Sequence, residues 1–212
     1  MEFRTVVDVP DPGFRIDPCA DLLFVGSCFA DNIGRRFQEE KFRVTVNPFG
    51  VMYNPASIFH TVERLAVQSL SPAVAFLTLG TNHVYRLKET GEIVDNCQKR
   101  PQALFAEEVL SVDACADYLQ KTVSLLRQMN PDVQVVLTVS PIRYRKYGYH
   151  GSQLSKATLL LAADQVCSRH PGVCYFPAYE IVNDELRDYR FYQADMLHPS
   201  DQTVEYIWQR LS

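Results

Sequence analysis

Three short runs constrain this chain more than anything else in it. Leu22–Val25, Ala73–Leu79 and Val133–Val139 are apolar nearly throughout, without polar alternation. A strand with one wet face alternates. A strand apolar on both faces must be covered on both, as in a parallel sheet between two helix layers. The segments between the runs supply the cover. Phe29, Ile33 and Phe37 recur at four-residue spacing among Asp31, Arg35, Glu39 and Glu40, which predicts an amphipathic helix. Pro55 suits the first turn of a helix running to about Ala66. Further helices are expected over about 106–129, over 152–169 with Leu154, Leu159–Leu161 and Val166 on the apolar side, around 178–187, and from about Ser200. Residues 42–46 and 173–176 read as additional strands, and 84–97 as a β-hairpin excursion. Residues 1–20, with three prolines, read as an extended lead-in. The expected fold class is α/β: a single three-layer α/β/α domain over 1–212 with about five parallel strands and right-handed crossovers.

Composition excludes several functions. The net charge of −4 argues against a nucleic-acid partner, and the densest basic run (Arg143, Arg145, Lys146) is interrupted by Tyr144. The N-terminus has no signal-peptide pattern, and no apolar run approaches the ~18 residues a membrane span needs. The six cysteines include no CxxC, so reduced thiols are expected rather than a disulfide framework or zinc site. These features predict a cytoplasmic protein with no membrane partner, metal or cofactor. Trp208–Ser212 carries no helix-stop signal, so the natural chain is expected to continue past Ser212.

The chemistry concentrates at two places. The first apolar run ends in Gly26-Ser27-Cys28, just where a helical pattern begins. A strand turning sharply into a helix puts the first helical residues at the strand's carboxyl end, where ligands bind in open α/β sheets and unpaired N–H groups face the site. Ser27 or Cys28 is therefore a candidate acyl-accepting nucleophile. Near the other end, Asp195-Met196-Leu197-His198-Pro199-Ser200 places a carboxylate three residues before a histidine on a loop leading into a helix. Asp195 can orient the imidazole of His198 through Nδ1 and leave Nε2 free to take a proton. Gly50 and Gly80 fall at the ends of intervening strands, and Gly80-Thr81-Asn82 adds a side-chain amide. The N–H of Cys28, the N–H of Gly50 and the amide of Asn82 are the candidate oxyanion donors.

These residues resemble the four blocks of the SGNH (GDSL-type) hydrolase superfamily: a nucleophile after the first strand, a glycine after the second, a GxN after the third and a late DxxH. Gly26-Ser27-Cys28-Phe29-Ala30 spells the motif for which the GSCFA family is named. Asn47-Pro48-Phe49-Gly50, Asn54-Pro55, Leu79-Gly80-Thr81, Asn96-Cys97, Ser140-Pro141-Ile142-Arg143, Leu154-Ser155-Lys156, 184–192 and the DxxH block resemble that family too. The resemblance covers nearly the whole chain and implies a flavodoxin-like SGNH fold, but no particular substrate.

Two departures stand out. Only residues 67–72 join the helix ending near Ala66 to the next strand, where the family has a longer, His-containing segment. Asn82-His83 stands where many relatives have Ala-Trp, which leaves Asn47 and Asn96 as substitute amide donors. Laid over the superfamily's Gly-Asp-Ser, the motif puts Cys28 in the nucleophile slot, with its thiol acidified by the helix N-terminus and His198. Otherwise Cys28 is a packing residue, and Ser27 is the helix cap or the nucleophile.

Arg143 could bind a carboxylate or phosphate, or form a structural ion pair. Tyr144, Tyr147 and Tyr149 read either as a sugar-binding lip or as partly buried loop residues. His60, His83, His150 and His170 lack partners at motif spacing. The charged run Asp184–Arg190 reads as a solvated, salt-bridged helix end. The expected function is that of an esterase or acyltransferase acting on an O-acyl ester, acetyl included, of a carbohydrate-like or small-molecule substrate. The alternative is a non-catalytic binding module on a degenerate SGNH scaffold.

Overall fold

The computed structural model describes residues 1, 3–95, 97 and 100–212. Its centre is a five-stranded sheet of β1 (Asp21–Gly26), β2 (Arg43–Val46), β3 (Val74–Leu79), β7 (Gln134–Val139) and β8 (Val173–Tyr175), in the order β2-β1-β3-β7-β8. Every pairing in it is parallel. The apolar runs are the three inner strands, with all six residues of β3 buried.

Because side chains alternate across a strand, each run feeds two cores. Leu23, Val25, Ala75, Leu77, Leu79, Val135, Leu137 and Val139 pack under α2 (Pro55–Ala66), α3 (Val112–Met129) and α4 (Gly148–Arg169). Leu22, Phe24, Val74, Phe76 and Val136 face α1 (Cys28–Glu39) and α6 (Asp201–Leu211) on the other side. There Phe24 stacks on Phe76 at 4.4 Å, and Phe37 meets Trp208 edge-on at 4.7 Å. The three helix-spaced residues Phe29, Ile33 and Phe37 are all buried in this second core.

A three-stranded antiparallel sheet stands beside the main one: β4 (His83–Leu87), β5 (Ile93–Val94) and β6 (Phe105–Val109), in the order β5-β4-β6. It corrects the helix expected over 106–129. Residues 105–109 pair with the whole of β4, and helix α3 begins only after Ser111, whose side chain accepts from Ala114 N–H. Helical spacing of Ala106, Val109 and Leu110 was compatible with both readings; the free edge of β4 decided between them.

Helix α4 also departs from expectation. It starts at Gly148, and its buried stripe is Ser152, Ser155, Lys156, Leu159, Ala162, Ala163 and Val166. Leu154 and Leu161, expected on the apolar side, are exposed at 56% and 57%. The expected helix over 178–187 is a single α turn, α5 (Ala178–Glu180), running into a π-helical turn at Ile181–Leu186. Within it Glu185 is not solvated: its side chain is fully buried and takes hydrogen bonds from Val7 N–H (2.9 Å), Tyr206 Oη and Arg210 Nη1 (3.3 Å). That carboxylate ties the irregular lead-in to α6.

Candidate active site

The sheet's order reverses direction between β1 and β3, and both end at the same edge. Ligands bind at such a switch point in open α/β sheets. Gly26 makes the turn from β1 into α1, with φ of +145°, and a Cβ there would strike the Thr78 carbonyl. Only glycine suits both the dihedral and the contact.

Ser27 follows as the N-cap of α1. Its Oγ accepts from Phe29 N–H (3.3 Å) and lies 3.2 Å from Thr78 Oγ1, and the residue is fully buried. Cys28 is the first helical residue and is partly exposed. Its N–H, at the start of the helix, has no helical acceptor. The expectation of an acidified thiol is corrected. Burial pushes the Cys28 thiol up and the Asp31 carboxylate pushes it further, while its own N–H and the Lys156 charge act against them.

The DxxH loop is built as expected. Asp195 Oδ2 lies 2.5 Å from His198 Nδ1, and Oδ1 accepts from the N–H groups of Leu197 (2.8 Å) and His198 (3.0 Å). The backbone N–H of His198, then its ring, then Leu197 N–H hold the Asp195 carboxyl down to about 2. Both side chains are exposed, at 43% for His198 and 41% for Asp195. Pro199 and the Ser200 cap lead into α6.

Arg143, just beyond β7, pins this loop to the sheet's carboxyl edge: its N–H donates to Leu197 C=O and Nη1 to Met196 C=O, each at 3.0 Å. The guanidinium also sits over the rings of Tyr149 (4.3 Å), Tyr192 (5.4 Å) and Tyr189 (5.9 Å). No carboxylate pairs with it among the described residues, so the structural ion pair expected as one alternative is not formed. The nucleophile candidates follow β1, and the DxxH loop is tied to the residue just beyond β7, two strands along the same parallel sheet. Neither Ser27 nor Cys28 hydrogen-bonds to His198 among the described residues.

Two of the three expected oxyanion donors, Gly50 and Asn82, are engaged elsewhere. Gly50 N–H donates to Asn47 C=O at 2.8 Å. The Asn82 amide donates to Leu110 C=O at 2.8 Å and is 2% exposed, holding β6 to the end of β3. Asn47 braces the β1–α1 turn, its Oδ1 accepting from Gly26 N–H (2.9 Å) and its Nδ2 donating to Asp31 (2.7 Å). Asn96 lies outside the described residues. Gly80 donates to Tyr53 C=O and is packed under the Tyr144 hydroxyl. Lys156, 2% exposed on α4 and not singled out from the sequence, gathers here with Tyr144, a lip or loop residue in the sequence reading, whose buried hydroxyl has no partner among the described residues. Lys156 stood inside the Leu154-Ser155-Lys156 motif, but a lysine in an amphipathic pattern reads as a solvent-facing position.

A profile of the GSCFA family matches residues 21–72 and 66–211. The chain belongs to the GSCFA family. The two matched ranges overlap at residues 66–72, where α2 joins β3. No curated protein matches the sequence. Among solved structures, the chain is similar to a carbohydrate esterase family 3 protein from Talaromyces cellulolyticus (TM-score 0.51, 12% identity, 91% of this chain and 94% of that one). It is also similar to a family two carbohydrate esterase from Clostridium thermocellum, solved with cellohexaose (0.54, 11%, 92% and 63%). A third is a chain assigned as a GDSL-like lipase from Bacteroides ovatus (0.57, 13%, 92% and 52%). At these identities the likeness is one of fold: the GSCFA chain has an SGNH-like α/β architecture. No helix among the described residues is long and apolar enough to cross a membrane.

Proposed function

We propose that this GSCFA protein is an SGNH-type esterase or acyltransferase that uses a thiol. Its substrate is an O-acyl ester, acetyl included, of a carbohydrate-like or small molecule. The observation that carries this reading is the division of labour at the β1–α1 turn. Ser27 is buried as the helix cap, while Cys28 is open to the edge that also holds the Asp195–His198 pair. The structural similarity to carbohydrate esterases supports the substrate class.

In this mechanism Cys28 Sγ adds to the acyl carbon as its proton passes to His198 Nε2. Asp195 holds the ring and stabilises the imidazolium. The ester C–O bond then breaks, and the alcohol leaves with the proton from His198. A water, or an acceptor alcohol in the transferase case, attacks the thioester with His198 as base and releases Cys28. At rest the thiol is protonated and not bonded to His198. The reaction therefore requires Nε2 and Sγ to close on each other in the substrate complex, as catalytic hydrogen bonds often do. Arg143 and its tyrosines form the rim beside His198, suited to sugar rings or an acidic substituent.

The test is a panel of p-nitrophenyl acetate and acetylated oligosaccharides run on wild type, Ser27→Ala, Cys28→Ala and His198→Ala. Cys28→Ala and His198→Ala are expected to lose roughly 10³-fold or more in kcat, and Ser27→Ala to keep its turnover per folded molecule. Wild-type rates in Cys28→Ala overturn the thiol mechanism. An inert wild type that still binds acetylated oligosaccharide supports the binding module instead, the reading favoured by the raised Cys28 thiol.

A further inference from the structure

Behind Cys28 lies a buried polar cluster that this mechanism leaves unused. Lys156 Nζ donates to the carbonyls of Gly80 (2.6 Å) and Ser140 (2.7 Å), the residues just past β3 and β7. No carboxylate pairs with it among the described residues. The Tyr144 ring lies 5.1 Å from Nζ, and its buried hydroxyl has no hydrogen-bond partner among the described residues. Gly80 is the floor beneath that hydroxyl: a Cβ there would collide with Tyr144 Oη. Tyr53 closes the cluster. Its carbonyl accepts from Gly80 and Thr81 N–H, and its ring meets Tyr144 edge-on at 6.4 Å. The preceding residue, Met52, donates to Gly26 C=O, beside the nucleophile turn.

The titratable groups around the thiol come from several elements. They are Asp31 on α1, Lys156 on α4, Tyr53 before α2, and Tyr144 after β7. Lys156 is the one whose charge favours the thiolate, and the thiolate in turn favours the ammonium.

An unpartnered buried hydroxyl and a buried ammonium without a counter-ion are each unfavourable for folding. Here they sit side by side at the switch point, next to a nucleophile candidate whose other expected donors, Gly50 and Asn82, are engaged elsewhere. We propose that Tyr144 Oη is the side-chain donor to the acyl oxygen in the Cys28 site, with Lys156 as the positioning residue that holds a positive pole behind the hydroxyl and the thiol. This rests on Cys28 being the nucleophile. As Sγ bonds to the acyl carbon, the carbonyl π electrons move onto oxygen, which accepts hydrogen bonds from Tyr144 O–H and Cys28 N–H. No proton changes hands there. When the adduct collapses, the electrons return to the carbonyl, the ester C–O bond breaks and the alcohol takes the proton held by His198.

Tyr144→Phe tests the donor with little risk to the fold, since it removes only a hydroxyl without a partner. Its melting temperature should equal or exceed that of wild type. With p-nitrophenyl acetate its kcat should fall about 100-fold while KM stays within about twofold. A second arm needs no turnover: the pH profile of Cys28 alkylation by iodoacetamide, read by mass spectrometry in wild type, Tyr144→Phe and Lys156→Met. At the acid end of the profile, at and below about pH 7 where Lys156 carries its proton, loss of the hydroxyl or of the charge should slow Cys28 alkylation, further for Lys156→Met. A folded Tyr144→Phe with wild-type kcat overturns the proposal, and so do coincident alkylation profiles in all three proteins. A wild type that hydrolyses no ester overturns the esterase reading alone, and the alkylation profiles then decide this one.

Discussion

Lys156 shows how one side chain can carry a pH response. Burial lowers it from its ordinary value to about 7 in the folded protein, with Cys28 pulling weakly the other way. Between pH 7 and the ordinary lysine range the unfolded chain holds a proton that the folded one has released, so stability rises with pH across that window. Below about 7 both states are protonated and the full penalty of the buried charge applies. Wild type should therefore gain stability between pH 7 and 9 relative to Lys156→Met, measured as the urea midpoint of each. Parallel curves for the two would place the lysine in contact with water. Ser27 is a different kind of residue: its hydroxyl serves the backbone. Ser27→Ala removes the cap of α1 and the contact with Thr78, and should cost about 1–2 kcal/mol by urea denaturation.

At the scale of elements, the register of α4 determines the site. Turning that helix so that Leu154 and Leu161 faced inward would carry Ser155 and Lys156 away from the ends of β3 and β7. The observed register instead buries Lys156 and has Ser155 Oγ accept from Asn82 N–H at 3.0 Å. Paired substitutions check it. Leu159→Ala, at a fully buried position, should cost about 2–5 kcal/mol. Leu161→Gln, at an exposed one, should stay within about 0.5 kcal/mol. Equal losses would mean that the apolar count of the sequence, and not the polar cluster, sets the helix's face.

For the whole molecule, one buried carboxylate, Glu185, joins parts far apart along the chain. The lead-in has no regular element, and Val7 is held at both ends of its peptide unit: N–H to Glu185 and C=O by Arg210. Glu185→Ala removes an acceptor shared by the lead-in, the π-helical turn and α6. It leaves Tyr206 and Arg210 without that partner. The expected loss is about 3 kcal/mol, below the upper end for a broken buried pair because Arg210 keeps some solvent. Limited proteolysis should then cut within residues 1–20 faster than in wild type.

What the sequence determined by itself follows from periodicity and local chemistry. Unalternating apolar runs dictated a parallel sheet, the 29-33-37 spacing a helix on it, and Asp195-x-x-His198 a self-contained hydrogen-bonded loop. Each depends on residues close along the chain, where spacing translates directly into geometry. The family pattern was legible for the same reason. Only the tertiary structure decided the rest, because those outcomes turn on what arrives from elsewhere. A free β4 edge converted residues 105–109 from helix to strand. Asn47, Leu110 and Tyr53 claimed the polar groups of Gly50, Asn82 and Gly80. Burial raised the Cys28 thiol that a helix start alone would have lowered. And the carbonyls closing β3 and β7, sixty residues apart at Gly80 and Ser140, drew Lys156 into the interior behind Cys28.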